Sequence, residues 1–334
     1  MACNNKTTYG LFLDNSVYVI QHSFYFVLGS VCVVGSALVV VVVWRNASLH
    51  GRAYYLLTAL AGGDFIYGLA YLVAAIHRLQ HLFARSDCRR VSQFDCIKMI
   101  FNPMFLFGAE CSMLMTFVIS VDRFTATKAL KLYDQLGTRF STICIGAVYT
   151  WCTVFIMAAF LVSFLTNVAD LSTVACFTTV AVPVWFYSIH SFIIIGTGTG
   201  SMLVYSITLC LLRKRLQSIG TATDSADVQK AKKELKITKN VASVVITTFC
   251  LVTVPNLVIL ALNNSAQNAA VVTIMKFAPF AWICTNLNSG INIFIYSLKY
   301  DGFRRGLKNL FKKQEGSFDT TDLHQSRSRV TREQ

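Results

Sequence analysis

The stretch Phe24–Trp44, FYFVLGSVCVVGSALVVVVVW, decides the fold: it runs twenty-one residues without an Asp, Glu, Lys or Arg. A helix needs about 20 mostly apolar residues to cross the hydrocarbon core of a bilayer. Six further windows have the same character. Ala53–Ile76 is interrupted only by Asp64 and Met99–Val121 only by Glu110. Phe140–Thr166, Val184–Leu212, Asn240–Leu262 and Phe277–Leu298 carry no such charge. None alternates apolar and polar residues with the period of a barrel strand. Lipid offers backbone groups no hydrogen-bond partners, so such windows are helices.

The rest of the composition agrees. Of 334 residues, 54% are hydrophobic and only 14% charged, yet the formal net charge is +14. Mean hydropathy is +0.54. A soluble domain carries about 25% charged residues. A soluble enzyme or a nucleic-acid binder of this basicity would show charge throughout, whereas here it is confined to short islands. The expected fold is an all-α membrane protein, a seven-transmembrane helix bundle with spans over 21–44, 53–77, 98–123, 140–166, 184–212, 237–262 and 271–298. The two halves share no residue repeat, which argues against a transporter built from inverted repeats.

Basic residues set the expected orientation. With 1–20 and the even-numbered connections outside, 7 of the 30 Lys and Arg residues lie outside and 23 lie on the other face. The N-terminus is therefore expected to be extracellular and the C-terminus cytoplasmic, in the plasma membrane. The start MACNNKTTYG lacks the pattern of a cleaved signal peptide, so the first span is expected to serve as its own insertion signal. The sequons at Asn5 and Asn263 fall on the outer face, as candidates for glycosylation. That at Asn46 falls inside. Of 11 cysteines, seven lie within spans and read as small packing residues. The other four, Cys3, Cys88, Cys96 and Cys176, lie on the oxidising side, where three full pairings are open.

After the seventh span, Phe303, Leu307, Leu310 and Phe311 recur at helical spacing opposite Arg304, Arg305, Lys308, Lys312 and Lys313. Residues 301–313 read as an amphipathic helix on the anionic inner leaflet, and 314–334 as a disordered cytoplasmic tail with Ser and Thr phosphorylation candidates.

The polar residues within the spans, taken in order, resemble those of the rhodopsin-like (family A) G-protein-coupled receptors. Leu60-Ala61-Gly62-Gly63-Asp64 resembles L-A-x-x-D, and Asp122-Arg123-Phe124 is a variant of Asp-Arg-Tyr, followed by Tyr133 and Thr138 at the family's spacing. Trp151, Tyr205, Phe249 with Pro255, and Asn288-Ser289-x-x-Asn292-x-x-x-Tyr296 continue the pattern on spans four to seven. Departures occur at Ser36, Leu130, Thr197, Thr253 and Ile293. Such relaxed positions are similar to those of the nematode serpentine chemosensory receptors, which implies a role in chemosensation.

The resemblance implies a receptor for an extracellular small molecule or peptide that activates a heterotrimeric G protein, with arrestin and receptor kinase as further partners. Asp122 would hold Arg123 at rest, and the freed Arg123 would reach the G protein; the alternative is an arginine snorkelling to the interface. Phe124, Tyr205, Phe249, Pro255, Asn292 and Tyr296 complete the implied switch. Pro255 removes a backbone hydrogen bond and is expected to kink the sixth helix. Asp64 would face Ser112, Asn288 and Asn292 in a pocket that either holds an allosteric sodium ion or keeps a protonated carboxyl. An ionised carboxylate at that depth costs roughly 2.5–3.5 kcal/mol or more.

Phe105, Glu110, His190, Thr253 and Trp282 are the ligand-pocket candidates. Phe105 stands where amine receptors of the family carry an Asp, which disfavours a biogenic amine. Asn286 stands where a retinal lysine would be, which disfavours a light receptor. Glu110 either meets a ligand or bonds a neighbouring helix, and His190 either meets a ligand or is structural. The resemblance also implies a Cys96–Cys176 bridge. Gly196-x-Gly198-x-Gly200 lies in an apolar helix without a following Lys-Ser/Thr, so it reads as helix packing rather than phosphate binding. The spacings include neither a metal-ligand pattern nor a nucleophile–histidine pattern, so no enzyme and no metal are expected. The rival readings are a seven-helix transporter or channel lined by Asp64 and Glu110, and a non-signalling receptor-like protein.

Overall fold

The computed structural model describes residues 15–83, 90–166, 172–173, 176–219, 226–264 and 268–315. Asn5, Cys3, Cys88 and the tail beyond Glu315 lie outside them, and Asn263 is described only as backbone, in the last turn of a helix. The chain forms α1 (Asn15–Arg45), α2 (Arg52–Phe83), α3 (Gln93–Lys98), α4 (Phe101–Lys128), α5 (Leu130–Leu165), α6 (Thr178–Ala181), α7 (Val184–Ile219), α8 (Ala226–Thr248), α9 (Val254–Asn264), α10 (Asn268–Lys299) and α11 (Asp301–Glu315). A 3₁₀ turn, Ala47–Leu49, joins α1 to α2, and a π-helical turn, Phe249–Thr253, joins α8 to α9. Two short strands, β1 (Arg90–Val91) and β2 (Ser172–Thr173), pair antiparallel beside α3.

Among the described residues, six helical stretches are long and apolar enough to cross a membrane, and α10 adds a seventh helix of 32 residues. The bundle is inverted relative to a soluble protein. Val34, Met157, Leu161 and Phe192 are exposed on its outside, while Asp64, Glu110, Asp122 and Arg123 are buried within it. Only lipid makes that arrangement favourable, because the outward side chains would otherwise present a continuous apolar surface to water.

Several boundaries differ from the hydropathy reading, each for a local reason. The third span does not begin at residue 98. Ser92 caps the short α3, accepting from the Asp95 N–H at 3.1 Å. Lys98 and then Ser92 hold the exposed Asp95 carboxyl below the usual carboxylate range. The helix then breaks at Met99, four residues before Pro103, because the proline ring collides with the carbonyl at i−4. The loop after α4 is itself helical and merges into α5, broken only at Gly137 (φ 53°), where a left-handed backbone favours glycine. In the sixth membrane helix the Val254 N–H reaches back to the Phe249 carbonyl in the π turn just before Pro255. That widened turn lies where the proline's missing N–H interrupts the regular ladder.

Small residues set how closely the helices approach. A Cβ on Gly29 would lie 2.9 Å from the Gly68 carbonyl oxygen, so α1 and α2 meet almost backbone to backbone. A Cβ on Gly108 would lie 2.6–2.7 Å from Tyr67 Cβ, Cα and N. Gly108→Ala must push α2 and α4 apart and is expected to cost about 1–3 kcal/mol. Gly196→Ala, whose Cβ meets nothing within 4 Å, is expected to gain about 0.5–1 kcal/mol from helix propensity. Thermal denaturation of the two variants in one detergent checks the contrast; equal midpoints would refute the packing argument. At the middle of the glycine run, a Cβ on Gly198 would collide with the Thr253 hydroxyl.

Among the described residues, two large apolar cores stand out. One lies at the Arg123 end, with Val42, Leu56, Met115, Ile119, Tyr205, Val245 and Tyr296. The other lies at the disulfide end, with Ala74, Ile97, Phe101, Leu106, Ala159 and Val182 around Cys96 and Cys176. Phe303 of α11 joins the first core, and Gly302 and Gly306 seat the helix against Tyr54, Leu49, Asn46 and Val42, with Arg304, Arg305 and Lys308 exposed.

Candidate functional site

Cys96 and Cys176 form a disulfide with Cα atoms 5.2 Å apart, tying α3 to the segment before α6. Asn102 at the start of α4 donates to both half-cystine carbonyls, to Cys96 at 2.7 Å and to Cys176 at 3.2 Å, and accepts from the Thr178 hydroxyl at 2.9 Å. The strap so fixed places Phe177 against Trp282 of α10, the rings stacked at 5.7 Å.

Beneath the strap lies a cavity between α2, α4, α7, α9 and α10. Tyr67, Tyr71, Phe105, Met113, Ile194, Val252 and Trp282 make its wall largely apolar. Tyr71 donates to the Trp282 carbonyl at 3.0 Å and shares a 3.0 Å bond with Thr285, and Tyr67 reaches Thr285 at 3.2 Å. Both tyrosine rings meet Phe105 edge-on, at 5.8 and 4.7 Å. The wall is thus prearranged by bonds between α2 and α10. Asn256 of α9 and His190 of α7 reach the cavity from the opposite side.

Asp64 lies deeper, 1% exposed, with both oxygens in use. Ser112 donates to Oδ1 at 2.9 Å, Ser289 to Oδ1 at 2.8 Å, and Asn292 to Oδ2 at 2.8 Å. The carboxyl therefore gathers α2, α4 and α10 at one point. Asp64→Ala would leave three buried donors without their acceptor, each worth about 1–3 kcal/mol. Denaturation in detergent should show a loss larger than that of Asp64→Asn, which keeps an acceptor oxygen.

At the far end of α4, Asp122 lies between two guanidiniums. Arg123 donates to Oδ2 through Nε at 3.0 Å and Nη2 at 2.5 Å, and Arg52 Nε approaches Oδ1 to 2.6 Å. Arg123 Nη2 also donates to the Tyr133 hydroxyl at 2.6 Å. Arg52 stacks over Tyr133 and Phe140, 4.2 and 4.8 Å from their centroids, and bonds the Tyr133 carbonyl at 3.3 Å. All three charged groups are buried. If Arg123 turned away, Arg52 would keep the Asp122 carboxylate paired.

The model of the 7 transmembrane receptor (rhodopsin family) matches residues 35–296. The chain belongs to that family. Among curated proteins, none matches it.

Within this receptor several expected residues occupy different places. Phe105, His190 and Trp282 line the cavity, but Glu110 and Thr253 do not. Glu110 is fully buried behind His190, whose Nδ1 lies 3.0 Å from Oε1, so the two ambiguous residues contact each other across α4 and α7. Thr253 faces α7 at Gly198, because the π turn rotates it away from the cavity. Asn288 was expected beside Asp64; it instead accepts from Thr248 at 3.1 Å, and Ser289 takes its place. One residue along a helix is a turn of about 100°, enough to exchange the two. Asn286 is buried and stands outside the cavity lining.

Of the other switch residues, Tyr205 donates to the Thr238 carbonyl, clamping α7 to α8. The Tyr296 hydroxyl is buried without a hydrogen-bond partner among the described residues. Pro255 is buried, and Phe249 and Phe124 are half-buried.

Sequence reasoning passed over Tyr67, Tyr71 and Arg78, although with Asp64 they follow a helical spacing that puts all four on one face of α2. Ser289 was next to a chosen residue. Arg52 carried no signal, since a basic residue at a span's end ordinarily reaches for water.

Proposed function

We propose that the receptor binds an external small molecule in the cavity beneath the disulfide strap and activates a heterotrimeric G protein at the Arg123 end, in a chemosensory role. The observation that carries this reading is the buried Arg52–Asp122–Arg123–Tyr133 cluster at the end of the same helix whose other half walls the cavity. α4 thereby links a ligand site to a charge cluster with an exchangeable partner. The cavity end faces outward and α11 lies on the inner leaflet, as the distribution of basic residues supports. A ligand drawing α9 and α10 together would move the π turn before Pro255 and loosen the Tyr205 clamp, opening the Arg123 face. Arrestin and receptor kinase would act on the same face and tail.

The test is nucleotide exchange on a purified heterotrimer with the receptor in nanodiscs. Exchange above that of empty nanodiscs is expected, rising in a ligand screen. Ion or solute flux through receptor liposomes with no effect on exchange would overturn the reading in favour of a transporter.

The family also implies a sodium ion at Asp64. The residues fit one: both carboxylate oxygens, the Ser112 and Ser289 hydroxyls, and Asn292 Oδ1, which is buried without a hydrogen-bond partner. Hard cations take such all-oxygen sets. Replacing sodium chloride by choline chloride is expected to lower the thermal midpoint of the wild type and leave that of Asp64→Ala unchanged.

A further inference from the structure

Glu110 and His190 form a polar pair within the bundle that the coupling scheme leaves unused. Glu110 of α4 is fully buried, and His190 of α7 is 5% exposed. The ring's Nδ1 lies 3.0 Å from Glu110 Oε1. Among the described residues that is the only hydrogen bond or ion pair either side chain makes. Glu110 Oε2 is buried without a partner. Nε2 of His190 also has no partner among the described residues, but it is not sealed off, and its ring lines the cavity. Other polar groups of the lining are already committed. Ser112 and Ser289 donate to Asp64, and Tyr71 and Thr285 serve each other and the Trp282 carbonyl.

Charge balance decides what Nε2 offers. The pair is uncharged when one proton lies between Nδ1 and Oε1, as carboxylate with imidazolium or as carboxylic acid with imidazole. In both forms Nε2 carries a hydrogen. A bare Nε2 needs either of two costly arrangements. One is a net negative charge on a fully buried carboxyl with an unpaired oxygen. The other is a proton on Oε2, a buried donor with no acceptor. Nε2–H is therefore a donor held in place by Glu110 and presented to the cavity. Next to it the surroundings are apolar: Ile194, one turn along α7, packs with Met113 and Val252. An uncharged pair beside such groups gives no compensation for the desolvation of an ionic ligand.

We propose that the receptor's ligand is a small uncharged carbonyl compound, a ketone or ester, its oxygen accepting a hydrogen bond from His190 Nε2 and its apolar body lying over Met113, Ile194 and Val252. This rests on the reading of the cavity as the ligand site. A site that spends one buried donor on a ligand oxygen rejects the analogue lacking that oxygen, because the donor is then left unpaired.

The experiment uses the full-length receptor in nanodiscs and a panel of methyl ketones and methyl esters of six to twelve carbons. Each ketone is matched by the 2-methyl-1-alkene of the same shape, the secondary alcohol and the carboxylic acid, and saturable thermal stabilisation is read. At least one ketone or ester is expected to bind, with the matched alkene at least 10-fold weaker than its ketone. His190→Phe is expected to weaken the carbonyl compound at least 10-fold and leave the alkene unchanged. Should that variant fold poorly, Glu110→Gln/His190→Phe, which strands no buried acid, is expected to give the same result. In the wild type, the infrared carbonyl band of the bound compound should lie below its position in hexane. The inference is overturned if no carbonyl compound stabilises the receptor, if the alkene binds as well, or if the carbonyl band is unshifted. It is equally overturned if the alcohol or the acid binds at least 10-fold tighter than the ketone, or if the variants keep the carbonyl preference. Carbonyl binding that survives filling of the cavity by Ala109→Phe would instead overturn the cavity as the site. A receptor that binds a ketone through His190 yet never accelerates nucleotide exchange would sink the signalling reading alone.

Discussion

Arg123→Ala is expected to reduce receptor-stimulated nucleotide exchange at least 10-fold while the protein still folds and inserts. The proposed coupling gives the reason for the first half and the structure for the second. The guanidinium is the group that would leave Asp122 and reach a G protein, so its loss removes the contact made only in the active arrangement. Folding survives because Asp122 keeps a cation: Arg52 Nε remains 2.6 Å from Oδ1. The expected stability cost is that of one buried hydrogen-bonded group, about 1–3 kcal/mol, with the Tyr133 hydroxyl losing its donor. Asp122→Ala is the informative contrast. It removes the carboxylate from between two buried guanidiniums and is expected to cost about 3–5 kcal/mol. Exchange assays paired with thermal denaturation separate the two effects. Full exchange activity in Arg123→Ala would remove Arg123 from the proposed coupling mechanism.

Cys176→Ser is expected to destabilise the receptor by about 2–4 kcal/mol and to abolish ligand binding. The bridge closes a separation of 80 residues, for which the chain-entropy account gives somewhat more, but helices already held in a bilayer have less freedom to regain. The functional loss follows from what else the residue does. Cys176 adopts a positive φ of 37°, and its carbonyl accepts from both Arg78 and Asn102. Without the tether that strained backbone relaxes, Phe177 leaves Trp282, and the cation loses its seat. The double variant Cys96→Ser/Cys176→Ser should be no worse than either single one. Additive losses, measured in denaturation of all three proteins, would show that the bond is not the source of the stability.

Much of the architecture was legible in the chain because hydropathy is a sum over neighbouring residues. Twenty apolar positions make a span whatever they pack against, and the imbalance of Lys and Arg needs no geometry to be read. Asp64, Asp122 and Arg123 were conspicuous because charge inside a span is rare. The break at Met99 escaped because an apolar window does not register that Pro103 forbids the carbonyl four residues earlier. That Ser289 rather than Asn288 bonds Asp64 has a different origin: a list of residue types carries no helix rotation.

The opening run, FYFVLGSVCVVGSALVVVVVW, with its six companions determined by itself that this is a membrane bundle, since the cost of leaving backbone groups unpaired in lipid admits only helices there. Which side chains meet was decided by tertiary structure alone. Glu110 and His190 lie 80 residues apart in sequence, Arg52 and Asp122 in different helices, and Arg78 beneath a strap tied by a distant cysteine. Those pairings depend on the rotation and close approach of helices. Contacts such as Gly108 on Tyr67 and Gly29 on Gly68 set these, and no property of either segment alone contains them.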